Sequence, residues 1–197
     1  MGVILFDIDG TLFDSKKFGE LIRAEFISIL GVSEEELIRA NADYYAGLET
    51  TVDFNPHDIS EHLANVFGGR KEELEKVFWE NDAIYRDSIY SDVFDCLKKV
   101  SKENVLGIFS QGYPQFQERK LVAGGIRKYF QGEIFIHTRK VTDEAVALLP
   151  RDAMLVDNDH GILEAMKHFV TPIWINRNTE DVDPEIETIH SLSELSI

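Results

Sequence analysis

The stretch Val3-Ile4-Leu5-Phe6-Asp7-Ile8-Asp9-Gly10-Thr11-Leu12-Phe13-Asp14 decides the fold. Its apolar opening lacks polar alternation, as a strand buried on both faces of a parallel sheet does, and it breaks at once into two carboxylates, a glycine and a threonine. Asp7 and Asp9 are two residues apart, so in extended geometry their side chains leave the chain on the same side, where their like charges invite a cation. Gly10 lets the backbone turn sharply, and Thr11 is expected to hydrogen-bond that turn locally.

Downstream of this loop the pattern becomes helical. Asp14 or Ser15 can cap a helix with Phe18, Leu21, Ile22, Phe26 and Ile29 at helical spacing, ending at Gly31. Ser33 with Glu36 reads as a capping box for a second helix that stops at Gly47. Asn55-Pro56 starts a third that ends at Gly68-Gly69, and a fourth is expected over 70–85 with Leu74, Val77 and Phe78 inward. With no strand pattern among them, residues 15–89 are expected to form a helical cap inserted into an α/β core made of residues 1–14 and 90–197.

From Ser91 helices and short apolar strands alternate. The strands are Val105–Phe109, ending in Ser110-Gln111-Gly112, then Ile134–Ile136, Ala153–Val156 and Pro172–Ile175. Together with the first strand they predict a doubly wound, Rossmann-type parallel sheet, whose ligands bind at the carboxyl ends of the strands. The acidic tail after Asn176 is expected to lie on the surface, docked by Leu192 and Leu195.

Composition narrows the function. The 197 residues are 44% hydrophobic and 28% charged, ordinary for a globular protein, and the opening apolar run is too short to span a bilayer. It is followed by no cleavage site, so a cytoplasmic location is the expectation. A net charge of −16 repels nucleic acid and anionic membranes, whereas a small phosphorylated substrate remains compatible with a local cation. The lone Cys96 falls in an amphipathic helical pattern and reads as a small buried residue.

The sheet brings chemistry to one edge: Asp7, Asp9 and Thr11 after the first strand, Ser110 after the second, Lys140 after the third and Asp157 after the fourth. Three carboxylates, a hydroxyl and an ammonium suit Mg²⁺, a phosphoryl group and a carboxylate nucleophile. Asp157 competes with a capping role for the next helix, which Asp159 or His160 can fill instead. His137 and His160 match no zinc spacing.

Asp7-Ile8-Asp9-Gly10-Thr11 matches residue for residue the D-x-D-G-T first motif of the haloacid dehalogenase (HAD) superfamily, and the chain resembles the branch with a helical cap between the first two motifs, such as phosphoglycolate phosphatases. Ser110, Lys140 and Asp157 match the later motifs by position. The resemblance implies Asp7 as nucleophile, Asp9 as the acid and base, and Mg²⁺ held by Asp7, Asp9 and Asp157, with Asp159 a further candidate. It implies that Ser110 and Lys140, with the N–H groups of Gln111 and Gly112, grip the phosphoryl oxygens. Two features depart from the family. Gly161 stands where many members have a second acid, and no proline follows Lys140, which leaves Arg139 or Lys120 as alternative site cations.

The reading is therefore a Mg²⁺-dependent phosphatase acting on a small phosphorylated metabolite through an aspartyl phosphate. The alternatives are a phosphotransferase or mutase, a catalytically weak partner-binding relative, and a response-regulator-type module. The last would need its acceptor aspartate after a middle strand and no large insert after the first.

Overall fold

The computed structural model of the chain describes residues 2–132 and 134–196. Six strands, β1 (Val3–Phe6), β2 (Val105–Gln111), β3 (Ile134–His137), β4 (Met154–Asp157), β5 (Thr171–Ile175) and β6 (Glu187–Ile189), form one sheet in the order β3-β2-β1-β4-β5-β6. All its pairings are parallel. As the unbroken apolar run requires, Ile4, Leu5 and Phe6 are buried on both faces of the central strand. Phe6 pairs with Ile108 on one side and Val156 on the other, so the strand order switches direction at β1. Its carboxyl end, with those of β2 and β4, opens into one crevice.

Between β1 and β2 lie α1 (Ser15–Leu30), α2 (Glu34–Ala46), a 3-10 turn (Thr51–Asp53), α3 (Pro56–Phe67), α4 (Lys71–Trp79) and α5 (Asp82–Asp87). Their ends carry the expected signals: Asp14 accepts from the Lys17 N–H, Ser33 and Glu36 form a reciprocal capping box, and Gly31 and Gly68 close α1 and α3 in left-handed conformation. The single helix expected over 70–85 is instead two. The Phe78 carbonyl, which a continuous helix would offer to Asp82, accepts from the buried Tyr85 hydroxyl at 2.7 Å and from Arg119 Nε at 3.3 Å. Side chains have taken the acceptor that the helix needed.

The two segments joining insert to core hydrogen-bond each other, Asp14 N–H to the Ser88 carbonyl at 2.7 Å and Tyr90 N–H to the Leu12 carbonyl at 3.2 Å. Beyond them α6 (Val93–Val100), α7 (Pro114–Ala123), α8 (Asp143–Ala147) and α9 (His160–Met166) alternate with the strands. Cys96 is buried in α6, where burial pushes its thiol up to about 11. The tail does more than lie on the surface: β6 adds a sixth strand through a segment too short to show a pattern, and Leu192 and Leu195 are buried behind it as expected. Among the described residues no helix is long and apolar enough to cross a membrane.

Candidate active site

The turn after β1 is wound tightly around one carbonyl. The Ile8 oxygen accepts from the N–H groups of Thr11, Leu12 and Phe13 at 3.4, 3.0 and 2.9 Å, whereas the Asp9 carbonyl accepts no hydrogen bond among the described residues. Gly10 has φ +80°, which favours glycine, and a Cβ there would lie 2.6 Å from the end of the Asn158 side chain in the turn after β4. The Thr11 hydroxyl does not hydrogen-bond the turn as expected; it is buried and has no partner among the described residues. Arg177 instead ties down the Thr11 carbonyl, donating from Nη2 at 2.9 Å and from Nε at 3.3 Å, while its Nη1 reaches Asp92 at 2.9 Å.

Asp7 is buried at the floor of the crevice. Its Oδ1 accepts from Ser110 Oγ at 3.1 Å and Lys140 Nζ at 2.6 Å; no hydrogen bond reaches Oδ2 among the described residues. Lys140 also reaches Asp157 Oδ2 at 2.6 Å, and the Asp159 N–H occupies Asp157 Oδ1 at 2.8 Å. The Lys140 backbone is placed in turn by its N–H bond to Gln111 Oε1 at 3.2 Å. Of the three candidate cations, Lys140 therefore stands at Asp7. Lys120 pairs with Asp9, and Arg139 pairs with Asp53 of the helical insert.

Asp9 faces α7. Lys120 Nζ is 2.7 Å from both of its carboxylate oxygens, Gln117 Nε2 is 2.8 Å from Oδ2, and Ser15 Oγ donates to Oδ1. Gln117 also reaches the Gln111 carbonyl at 2.6 Å and Ser110 Oγ at 3.3 Å, joining the two aspartates through one amide. The phenyl rings of Phe116 and Phe13 lie 4.5 and 5.4 Å from the Lys120 ammonium. Gln117 did not stand out in the sequence, and Ser15 stood out only as a candidate helix cap. The available signal was that Gln117 and Lys120 share a helical face with the apolar Leu121, where a solvated polar pair is out of place.

The two aspartates titrate in opposite directions. Burial, helped by the charges of Asp157 and Asp9 and opposed by Lys140, pushes Asp7 up to about 7. Burial also works against ionised Asp9, but Lys120, Ser15 and Gln117 outweigh it and hold its carboxyl below the ordinary range. For Lys140 burial is outweighed by Asp7 and Asp157, which raise it, so it stays protonated.

The remaining expected groups are less free. The Gly112 N–H donates to the His137 carbonyl at 2.9 Å rather than facing the crevice. Asp159 caps α9 through Oδ1, with Ile162 N–H at 3.1 Å. Gly161 places no acid beside it, and His160 pairs with Asp183 at 2.8 Å. His160, Glu164 and Asp183 are grouped closely enough to hold an ion but lie apart from Asp7 and outside the crevice lining.

A model of haloacid dehalogenase-like hydrolases matches residues 1–153. The chain belongs to this family. Solved structures show the same fold in hydrolases of several kinds. The HAD-hydrolase YfnB of Bacillus subtilis, bound to magnesium, is 15% identical with a TM-score of 0.64, covering 98% of this chain and 96% of that one. A HAD phosphatase from Thermococcus onnurineus is 22% identical with a TM-score of 0.60, over 98% and 95%. The L-2-haloacid dehalogenase of Xanthobacter autotrophicus, with chloropropionic acid covalently bound, is 15% identical with a TM-score of 0.57, over 98% and 96%. A search by sequence among curated proteins finds no significant match. This HAD-like hydrolase thus shares its fold with both phosphatases and dehalogenases.

Proposed function

We propose that this hydrolase is a phosphomonoesterase acting on a small phosphorylated metabolite, with residues 15–89 as a cap over the site. The observation that carries the reading is the placement of Asp7 and Asp9 on one turn, with Asp7 Oδ1 gripped by Ser110 and Lys140 and Oδ2 clear of donors. In the dehalogenase branch the second aspartate is not kept, so Asp9 supports phosphate ester chemistry over carbon–halogen cleavage.

The Asp7 carboxylate attacks phosphorus, forming an aspartyl phosphate as the bond from phosphorus to the leaving oxygen breaks. Asp9 gives that oxygen a proton, then takes one from the water that attacks phosphorus as the bond between phosphorus and the Asp7 oxygen breaks, releasing phosphate and restoring the Asp7 carboxylate. Ser110 and Lys140 hold Asp7 in one rotamer and supply positive charge beside the developing negative charge.

The donor set fits a divalent cation. Asp7, Asp9, Asp157 and Asp159 line the crevice against Lys120, Lys140 and an Arg23 that is paired with Glu34, leaving an excess of negative charge, and the Asp9 carbonyl accepts no hydrogen bond among the described residues. Asp7, Asp157 and the Asp9 carbonyl would hold Mg²⁺. When bound, the ion offsets the charge of the phosphoryl oxygens.

The test is turnover of a generic aryl phosphate with Mg²⁺ by the wild type, Asp7→Asn and Asp9→Asn. Losses of at least about 10³-fold for Asp7→Asn and 10²-fold for Asp9→Asn are expected. Retained turnover in either variant overturns the mechanism.

A further inference from the structure

The crevice continues upward from Asp7 into a cavity of about 880 Å³ between core and helical insert. Its floor is charged and its upper part is apolar. Phe18 and Ile22 of α1, Ile38 and Tyr45 of α2, Phe54 after the 3-10 turn and Phe116 of α7 form the walls. Ile38 and Tyr45 are 47% and 44% exposed, so the insert leaves large apolar side chains in water at this point. Exposed apolar surface that lines a cavity and leads to reactive carboxylates is surface kept for a ligand. Tyr45 also stacks on Phe54, centroids 6.1 Å apart and planes at 20°, which makes one flat aromatic wall.

The charges of the cavity disfavour a second anion on that ligand. Among the described residues, each basic side chain lining the cavity already has a carboxylate partner: Arg23 with Glu34 at 3.3 Å, Lys120 with Asp9, and Lys140 with Asp7 and Asp157. Among the described residues, the lining further adds uncharged polar groups, Asn41 and Thr51 with the hydroxyls of Tyr45 and Tyr113. A second phosphate or a carboxylate on the substrate would lose its water there and would have to compete with Glu34 for the partly exposed Arg23.

Building on the phosphomonoesterase reading, we propose that the substrate is a monoester whose leaving group is uncharged and apolar, an aryl or medium-length alkyl group packed against the insert. The alcohol product then leaves through the same apolar mouth. Such a site discriminates by transfer of hydrocarbon out of water, worth roughly a three- to fourfold gain in kcat/KM per methylene. A phosphorylated carboxylic acid, which a phosphoglycolate phosphatase takes, is rejected.

The experiment compares the full chain, with Mg²⁺, on methyl, ethyl, butyl and hexyl phosphate, phenyl phosphate and phosphoglycolate. kcat/KM is expected to climb by about that factor with each methylene, and phosphoglycolate is expected to fall at least about 100-fold below butyl phosphate. Ile38→Arg and Tyr45→Ala, at exposed positions that leave folding intact, flatten the alkyl series. A flat series in the wild type, or preference for phosphoglycolate, overturns the proposal. If no ester turns over, the phosphatase reading fails by itself, and the pocket is judged by calorimetry with phenylphosphonate and methylphosphonate. Binding of the phenyl compound at least about tenfold tighter supports an apolar occupant; equal or absent binding rejects it.

Discussion

Lys120 holds both carboxylate oxygens of Asp9 at 2.7 Å. Two residues earlier, Asp7 is served by a different lysine, Lys140, at 2.6 Å. Neighbouring carboxylates on one turn thus have separate cations, and the consequence is a separation of roles. Asp7, pushed up chiefly by burial, shares its lysine with Asp157, whereas Asp9 is held down by Lys120 with Ser15 and Gln117. A carboxyl group that is to give up a proton must first hold one, so in the proposed reaction Lys120 sets how readily Asp9 serves as an acid.

Lys120→Met is expected to lower stability at pH 7 by roughly 1–2 kcal/mol, a charged hydrogen bond reduced by partial screening. The screening follows from the Asp9 side chain being 36% exposed. Because Asp9 is depressed in the folded state, the stabilisation by Lys120 is present above the ordinary carboxylate range and is lost as pH falls through the lowered value. Urea denaturation should show the two proteins converging near the acid limit. In the proposed reaction the same substitution raises Asp9 and moves the high-pH limb of kcat upward. A limb that stays in place separates Asp9 from proton transfer.

Asp7→Asn is expected to abolish turnover and yet stabilise the protein at alkaline pH. Asp7 is pushed up from 3.8 to about 7, so between those values the folded protein holds a proton that the unfolded chain has released. Stability therefore falls as pH rises from about 4 to 7, and the cost is complete above 7. The amide removes it, and Lys140 keeps Asp157 as a partner. A gain on the order of 1–3 kcal/mol at pH 8, shrinking by pH 5, is expected from urea titrations. A loss at pH 8 contradicts this account of the site.

Magnesium should act on the same repulsion. Millimolar Mg²⁺ is expected to raise the wild-type Tm by a few degrees at pH 8 and by less at pH 6, where a proton already sits on Asp7. Asp157→Asn should remove most of that shift. Equal shifts at the two pH values would place the ion away from Asp7.

The sheet and its chemistry are legible in the sequence because strand ends announce themselves. Val3–Phe6 and Met154–Val156 are apolar runs that stop at an aspartate, so the pattern alone puts Asp7 and Asp157 at strand ends that open on one crevice. Helix caps at Asp14, Ser33 and Asn55 are equally readable, since capping depends on two or three neighbouring residues. What the pattern hides depends on residues far apart in sequence. Gln117 and Lys120 point inward only because Asp9 is there to receive them, and a lysine on a helix otherwise reads as solvated. The break between α4 and α5 depends on the Tyr85 hydroxyl and Arg119 meeting one carbonyl.

Arg177 belongs to that second group. It joins the turn after β1, through the Thr11 carbonyl, to Asp92, and Asp92 also accepts from Ser191 Oγ and the Leu192 N–H at 2.7 and 2.8 Å. The guanidinium lies over the Tyr90 ring at 4.0 Å. Arg177→Ala leaves the largely buried Asp92 without its cation and is expected to cost about 3 kcal/mol in equilibrium unfolding. Arg177→Lys recovers less than half of it, because an ammonium cannot reach both partners with a planar fork. Full rescue by lysine would show that charge alone matters there.

Gly10→Ala tests two separate demands on one position. The left-handed φ of +80° costs an L-residue about 1–2 kcal/mol, and the new Cβ would lie 2.6 Å from Asn158 Nδ2. The second demand falls on the far end of a side chain, so Asn158 can swing away, but doing so disturbs the turn after β4. Its backbone is held there by Trp174 Nε1, which donates to the Asn158 carbonyl at 3.1 Å. A double-mutant cycle separates the two demands. Gly10→Ala alone should lose roughly 2–3 kcal/mol, and the same change made on an Asn158→Ala background should lose only the conformational part, about 1–2 kcal/mol. Strict additivity would mean that Asn158 does not press on Gly10 in solution, and the turn's need for glycine would then be one of backbone conformation alone.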